Sequence, residues 1–172
     1  MYMFAVIVPQ NLKSLQKEDF NMTDLSKGII EINGFTIKPD TTLKEMQDFF
    51  GDKVRVLELS TGPRLKLQQP YFLNKNIYAY AFNFKNNGEL SDFSLIPEPP
   101  VEIKGNPTDV AEYMLKTSKQ WLKEMIDKNP TTDCNEGISY HFNNFHISAF
   151  IQNDIHYGKI GGYVSLYFNN EA

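Results

Sequence analysis

The chain has 172 residues, with 17 Lys and Arg against 21 Asp and Glu, a net charge of −4, and hydrophobic residues at 41%. Apolar content is too high and charge too low for a disordered chain, and a length of this order fits one domain that buries roughly two thirds of its unfolded surface. The single Cys134 excludes an intramolecular disulfide or a cysteine zinc cluster, and the mild acidity argues against a nucleic-acid partner, which requires a basic footprint.

The N-terminus, Met1-Tyr-Met-Phe-Ala-Val-Ile-Val-Pro9, carries no basic residue before its apolar run and no small-residue cleavage site, so it reads as a short buried strand rather than a secretory signal. An alternative reading makes residues 1–21 a poorly ordered extension, with the true start at Met22. No stretch approaches the roughly 18 apolar residues of a membrane span. A cytoplasmic location, where a lone thiol stays reduced, is the expectation.

Residues 10–27 are polar and form a short helix or a loop. Asn33-Gly34 between Ile29–Ile32 and Phe35–Ile37 is a hairpin signal, because both central residues of the tight turn need positive φ. Thr42 and Glu45 make a capping box for a helix over 42–50, packed through Leu43, Met46, Phe49 and Phe50 and ended by Gly51. Strands are predicted over 54–59 and 64–68, with Pro70 breaking the chain, then over 77–84 and 90–96 around Asn86-Asn87-Gly88. Strict alternation over 77–84 places Tyr78, Tyr80, Phe82 and Phe84 on one face, either a core layer or a recognition strip. The small residues of the other face offer a seat for a helix. Pro97-Glu98-Pro99-Pro100 is a stiff crossover. Asn106-Pro107-Thr108-Asp109 opens the long helix, 107–128, with Val110, Met114, Thr117, Trp121, Leu122 and Met125 inward. Strands follow over 137–143, 145–152 and 162–168.

The last hairpin is the best defined. With Asn143-Asn144 as the turn, Ser139 faces Ser148 and His141 faces His146, while Ile138, Tyr140, Phe142, Phe145, Ile147, Ala149 and Ile151 share the core face. The histidine pair begins a metal site that Asp133, Glu136, Asp154 or His156 would have to complete, or it is a polar pair on a solvated face. Cys134 in a polar loop lacks the helix N-terminus that lowers a thiol pKa, so it is not a nucleophile by this reading. Gly158-Lys159-Ile160-Gly161-Gly162 precedes a strand rather than a helix and reads as a turn or bulge, not a phosphate loop. Asp92, the one acid inside an apolar strand, faces solvent.

Ile32-Asn-Gly-Phe-Thr-Ile37, Thr41-Thr-Leu43 with Phe49-Phe50-Gly51, Tyr157-Gly-Lys-Ile160 and Tyr163-Val-Ser-Leu-Tyr167 together resemble, in outline, small bacterial proteins of the type that confers immunity to secreted toxins. The resemblance implies a cytoplasmic protein that binds and blocks one toxin domain and carries over no functional residue.

The expected fold is α+β in one domain: a largely antiparallel sheet of six to eight strands with the long and short helices on one face. The expected function is non-catalytic protein binding without cofactor or metal, through Tyr78, Tyr80, Asp133, Glu136 and Asp154, to a partner such as a basic toxin domain. The alternatives are a metal-binding or hydrolytic domain using His141 and His146, and a small-molecule carrier between sheet and long helix.

Overall fold

The computed structural model describes residues 23–74, 76–156 and 158–168; the strand expected at residues 2–8 lies outside them. A 3₁₀ turn at Leu25–Lys27 precedes hairpin β1 (Ile30–Ile32) and β2 (Phe35–Ile37), where Asn33 and Gly34 hold φ of 51° and 80°, as the turn requires. Helix α1 (Leu43–Phe50) begins at the Thr42–Glu45 capping box and stops at Gly51. It buries Met46 and Phe50. Phe49, expected to pack inward, is instead 48% exposed, its ring against Phe35 and Phe50 at 5.0 Å, because Met46 and Phe50 already fill the inward face.

Four strands follow: β3 (Val54–Leu59), β4 (Gly62–Phe72), β5 (Ile77–Phe84) and β6 (Leu90–Pro97). Pro70 does not break β4. It sits within a register shift between Lys66 and Tyr71, where the missing N–H removes no regular ladder bond. The alternation expected along β5 also fails. A shift between Ala79 and Phe82 lets Ile77, Ala79, Phe82 and Phe84 all face the core, while Tyr78 and Tyr80 stay half-buried. The aromatic row is therefore split.

Asn106 caps α2 (Pro107–Met125) by accepting from the N–H groups of Thr108 and Asp109. The helix ends three residues earlier than expected, and its buried face is Ala111, Met114, Leu115, Ser118, Trp121 and Leu122. That face is rotated from the expected one, leaving Met125 exposed and Val110 and Thr117 half-buried. The cause is Gly162, whose backbone approaches so closely that a Cβ there would meet the Ala111 carbonyl and lie 2.7 Å from the Leu115 nitrogen. Small Ala111 and Ser118 suit this approach, and the Ser118 hydroxyl donates to the Gly162 carbonyl at 2.8 Å. The helix thus packs on the last strands, not on β5.

The C-terminal strands are β7 (Thr132–Cys134), β8 (Gly137–His141), β9 (Phe145–Asp154), β10 (Gly158–Gly161) and β11 (Val164–Phe168). Residues 132–134, expected in a loop, form an edge strand. The sheet runs β3-β4-β5-β6-β11-β9-β8-β7, with β10 as a ninth strand pairing the far half of β9; every pairing is antiparallel. β10 and β11 run along the same flank of β9, joined through Gly161 and Gly162 at φ of 97° and 86°, and the register slips by one residue there. The expected bulge is this junction. One hydrophobic cluster joins the sheet to α2 through Leu115, Trp121 and Leu122, and to the N-terminal unit through Leu25, Ile30, Ile32, Met46 and Phe50. The fold is α+β, a mostly antiparallel sheet with two α-helices.

Candidate functional site

Because side chains alternate across a strand, burying Leu65, Phe82, Phe93, Leu166, Ile147 and Tyr140 on the core face sends their neighbours to the opposite face. The register then lines those neighbours up. Leu57, Arg64, Asn83, Asp92, Tyr167, His146 and His141 are successive direct partners across seven strands, from β3 to β8. At about 4.8 Å per strand the row spans roughly 29 Å.

Neighbouring members hold each other. Arg64 Nε donates to Asn83 Oδ1 at 2.7 Å, Asn83 Nδ2 donates to Asp92 Oδ1 at 2.6 Å, and the Ser91 hydroxyl donates to Asp92 Oδ2 at 2.9 Å. Asp92, expected to face solvent unaided, is half-buried and fixed from two sides. The His146 and Tyr167 rings stack at 4.6 Å and 18°, and His141 lies 5.7 Å from His146. Burial, followed by the neighbouring His141, lowers the His146 pKa from its ordinary value near 6.5 and keeps the ring neutral near pH 7.

A second row runs beside the first. Ser94, Ser165, Ser148, Ser139 and Thr132 pair directly across β6, β11, β9, β8 and β7. Among the described residues none of the four serine hydroxyls has a hydrogen-bond partner; Ser94 and Ser148 are half-buried, whereas Ser139 and Ser165 are buried. Tyr163, Tyr167 and Phe150, about 40% exposed, flank this row. They border a cleft of about 290 Å³ that also takes in Ser148, Ser165 and Gln152. Gly137 leaves room for the Phe150 ring, which a Cβ there would strike.

The chain matches no protein-family model, no curated protein and no solved structure.

The residues expected to contact a partner do not form one patch. Tyr78 and Tyr80 lie together on β5, Tyr78 against Phe72 at 5.4 Å and Tyr80 beneath the Lys66 ammonium at 5.5 Å. Asp133 lies on β7, five strand spacings or roughly 24 Å across the sheet. It pairs with Ile138 on the core-side face, bridges Lys119 at 2.5 Å and Lys123 at 2.6 Å, and has its carboxyl held below the ordinary range by those two ammoniums. Glu136 is exposed beside the β7–β8 turn, and its carbonyl accepts from the Ile151 N–H. Asp154 ends β9 and accepts from the His156 N–H at 2.8 Å.

The histidine pair forms in the expected register, but among the described residues no group of three His, Cys, Asp or Glu side chains converges on a metal-sized point. Cys134 is exposed at the edge of the sheet.

Arg64, Asn83, Asp92, Tyr167 and the serines of β6 and β11 were not read from the sequence as site residues. Polar residues at every second position in Tyr163-Val-Ser-Leu-Tyr167 and Asp92-Phe-Ser-Leu95 signal an outward face, but the order of strands is not contained in those segments.

Proposed function

We propose that this protein is a non-catalytic binding module that presents the outward sheet face to a protein partner. At its most specific, it is an immunity protein that occludes a cognate bacterial toxin domain in the cytoplasm. The observation that carries the reading is the pre-set row from Arg64 to His141. Hydrogen bonds and ring stacking hold its members before any partner arrives, which lowers the ordering cost of association.

Size supports the same reading. One side of a standard interface is about 800 Å², or roughly 28 Å on an edge, and the row spans a comparable width. Exposed Tyr163, Tyr167 and Phe150 supply rigid apolar area of the kind that dominates binding energy. The half-buried Ser94 and Ser148 hydroxyls supply hydrogen bonds beside them.

Co-expression with the product of each adjacent gene tests the proposal. A stable complex is expected with one of them, together with rescue of growth if that product is toxic. A complex with none of them overturns the reading.

A further inference from the structure

On the other side of the sheet, the end of α2 and strands β7 and β8 enclose an open cleft of about 620 Å³. Its lining includes Lys123, Asp127, Lys128, Asp133 and Tyr140. Tyr140 is fully buried, and its hydroxyl is the one buried side-chain oxygen or nitrogen without a hydrogen-bond partner among the described residues. Such a group costs free energy unless something arrives to meet it, and native proteins rarely leave one open.

The charges around it are unevenly matched. Asp133 is shared by Lys119 and Lys123, so a single carboxylate serves two ammoniums. Lys128 donates to the His141 carbonyl at 2.9 Å and lies over the Phe142 ring at 4.7 Å, neither of which neutralises it. Asp127 is the other acid of the lining, so two lysines and two aspartates line the cleft itself, and Lys119, outside the lining, adds a third ammonium through Asp133.

We propose that this cleft binds a small organic molecule through its carboxylate or phosphate group, with the Tyr140 hydroxyl donating to an anionic oxygen and Lys123 and Lys128 supplying the charge. Burial pushes the Tyr140 pKa up, so the hydroxyl keeps its proton and remains a donor at neutral pH. The site is distinct from the outward face and does not depend on what binds there.

The test is calorimetric titration of the full chain with malonate and with inorganic phosphate, at fixed ionic strength, alongside thermal unfolding. Saturable binding of at least one anion and a rise in Tm are expected. Tyr140→Phe keeps the ring and removes the hydroxyl. Its unliganded Tm should equal or exceed that of the parent, since an unpaired buried group is gone, while affinity falls about tenfold or more, the loss of one charge-assisted hydrogen bond. Lys128→Gln should weaken binding independently. Binding of malonate alone assigns a carboxylate, and of phosphate alone a phosphate. No saturable binding of either anion at concentrations on the order of 10 mM, or unchanged affinity in Tyr140→Phe, overturns the proposal.

Discussion

Gly162 and Gly88 share a φ of 86°, yet their surroundings differ completely. A Cβ on Gly88 meets nothing within 4 Å, whereas one on Gly162 meets the Ala111 carbonyl and lies 2.7 Å from the Leu115 nitrogen and 3.1 Å from the Met114 Cβ. Alanine at either position pays the positive-φ penalty of about 1–2 kcal/mol. Both substitutions also restrict the unfolded chain alike, which cancels in the comparison. At Gly162 the helix backbone must move as well. Overpacking adds about 1–3 kcal/mol, and distortion of the Ser118–Gly162 hydrogen bond adds about 1 kcal/mol. Gly162→Ala should therefore be less stable than Gly88→Ala by about 2–4 kcal/mol. With a urea m-value of about 2 kcal/mol/M, the midpoints should differ by about 1–2 M. Equal midpoints for the two variants would show that α2 does not rest on Gly162.

Two further predictions concern charge and capping. The His146 pKa is lowered in the fold, so the unfolded state binds more protons as pH falls below the ordinary value near 6.5. Its contribution to stability is complete above that value and is lost as pH falls through the lowered one. Urea midpoints compared at about pH 8 and about pH 5 should fall less in His146→Gln than in the parent, and an identical fall would refute the assignment. Asn106→Ala removes the side chain that accepts from the Thr108 and Asp109 N–H groups and should cost about 1 kcal/mol in equilibrium unfolding.

Local signals carried far into the structure where the physics is local. Asn33-Gly34, the Thr42–Glu45 box, the Asn106-Pro107 start and the Ser139–Ser148 register all depend on residues close in sequence, and each forms as read. The misses share a cause in distant contacts. The α2 face turns toward Ala111 and Ser118 because Gly162, remote in sequence, demands small neighbours. Phe82 and Phe84 face the core because pairing with β4 and β6 admits bulges that a period of two cannot foresee. The candidate site shows the same division. His141, His146, Ser139 and Ser148 lie on one hairpin, and their shared face was legible. Asp92, Asn83 and Arg64 join them only because β11 inserts between β6 and β9, an order that no single segment encodes.

In the proposed function, the outward sheet face from Arg64 to His141 is the binding surface. The most direct measurement is the affinity for the co-purified partner of the parent, of a Tyr167→Ala/His146→Ala double variant, and of Lys116→Ala on the exposed side of α2. The double variant should lose at least about tenfold in affinity, a modest loss for a central aromatic pair, while Lys116→Ala binds as the parent does. Undiminished binding by a folded double variant would contradict it.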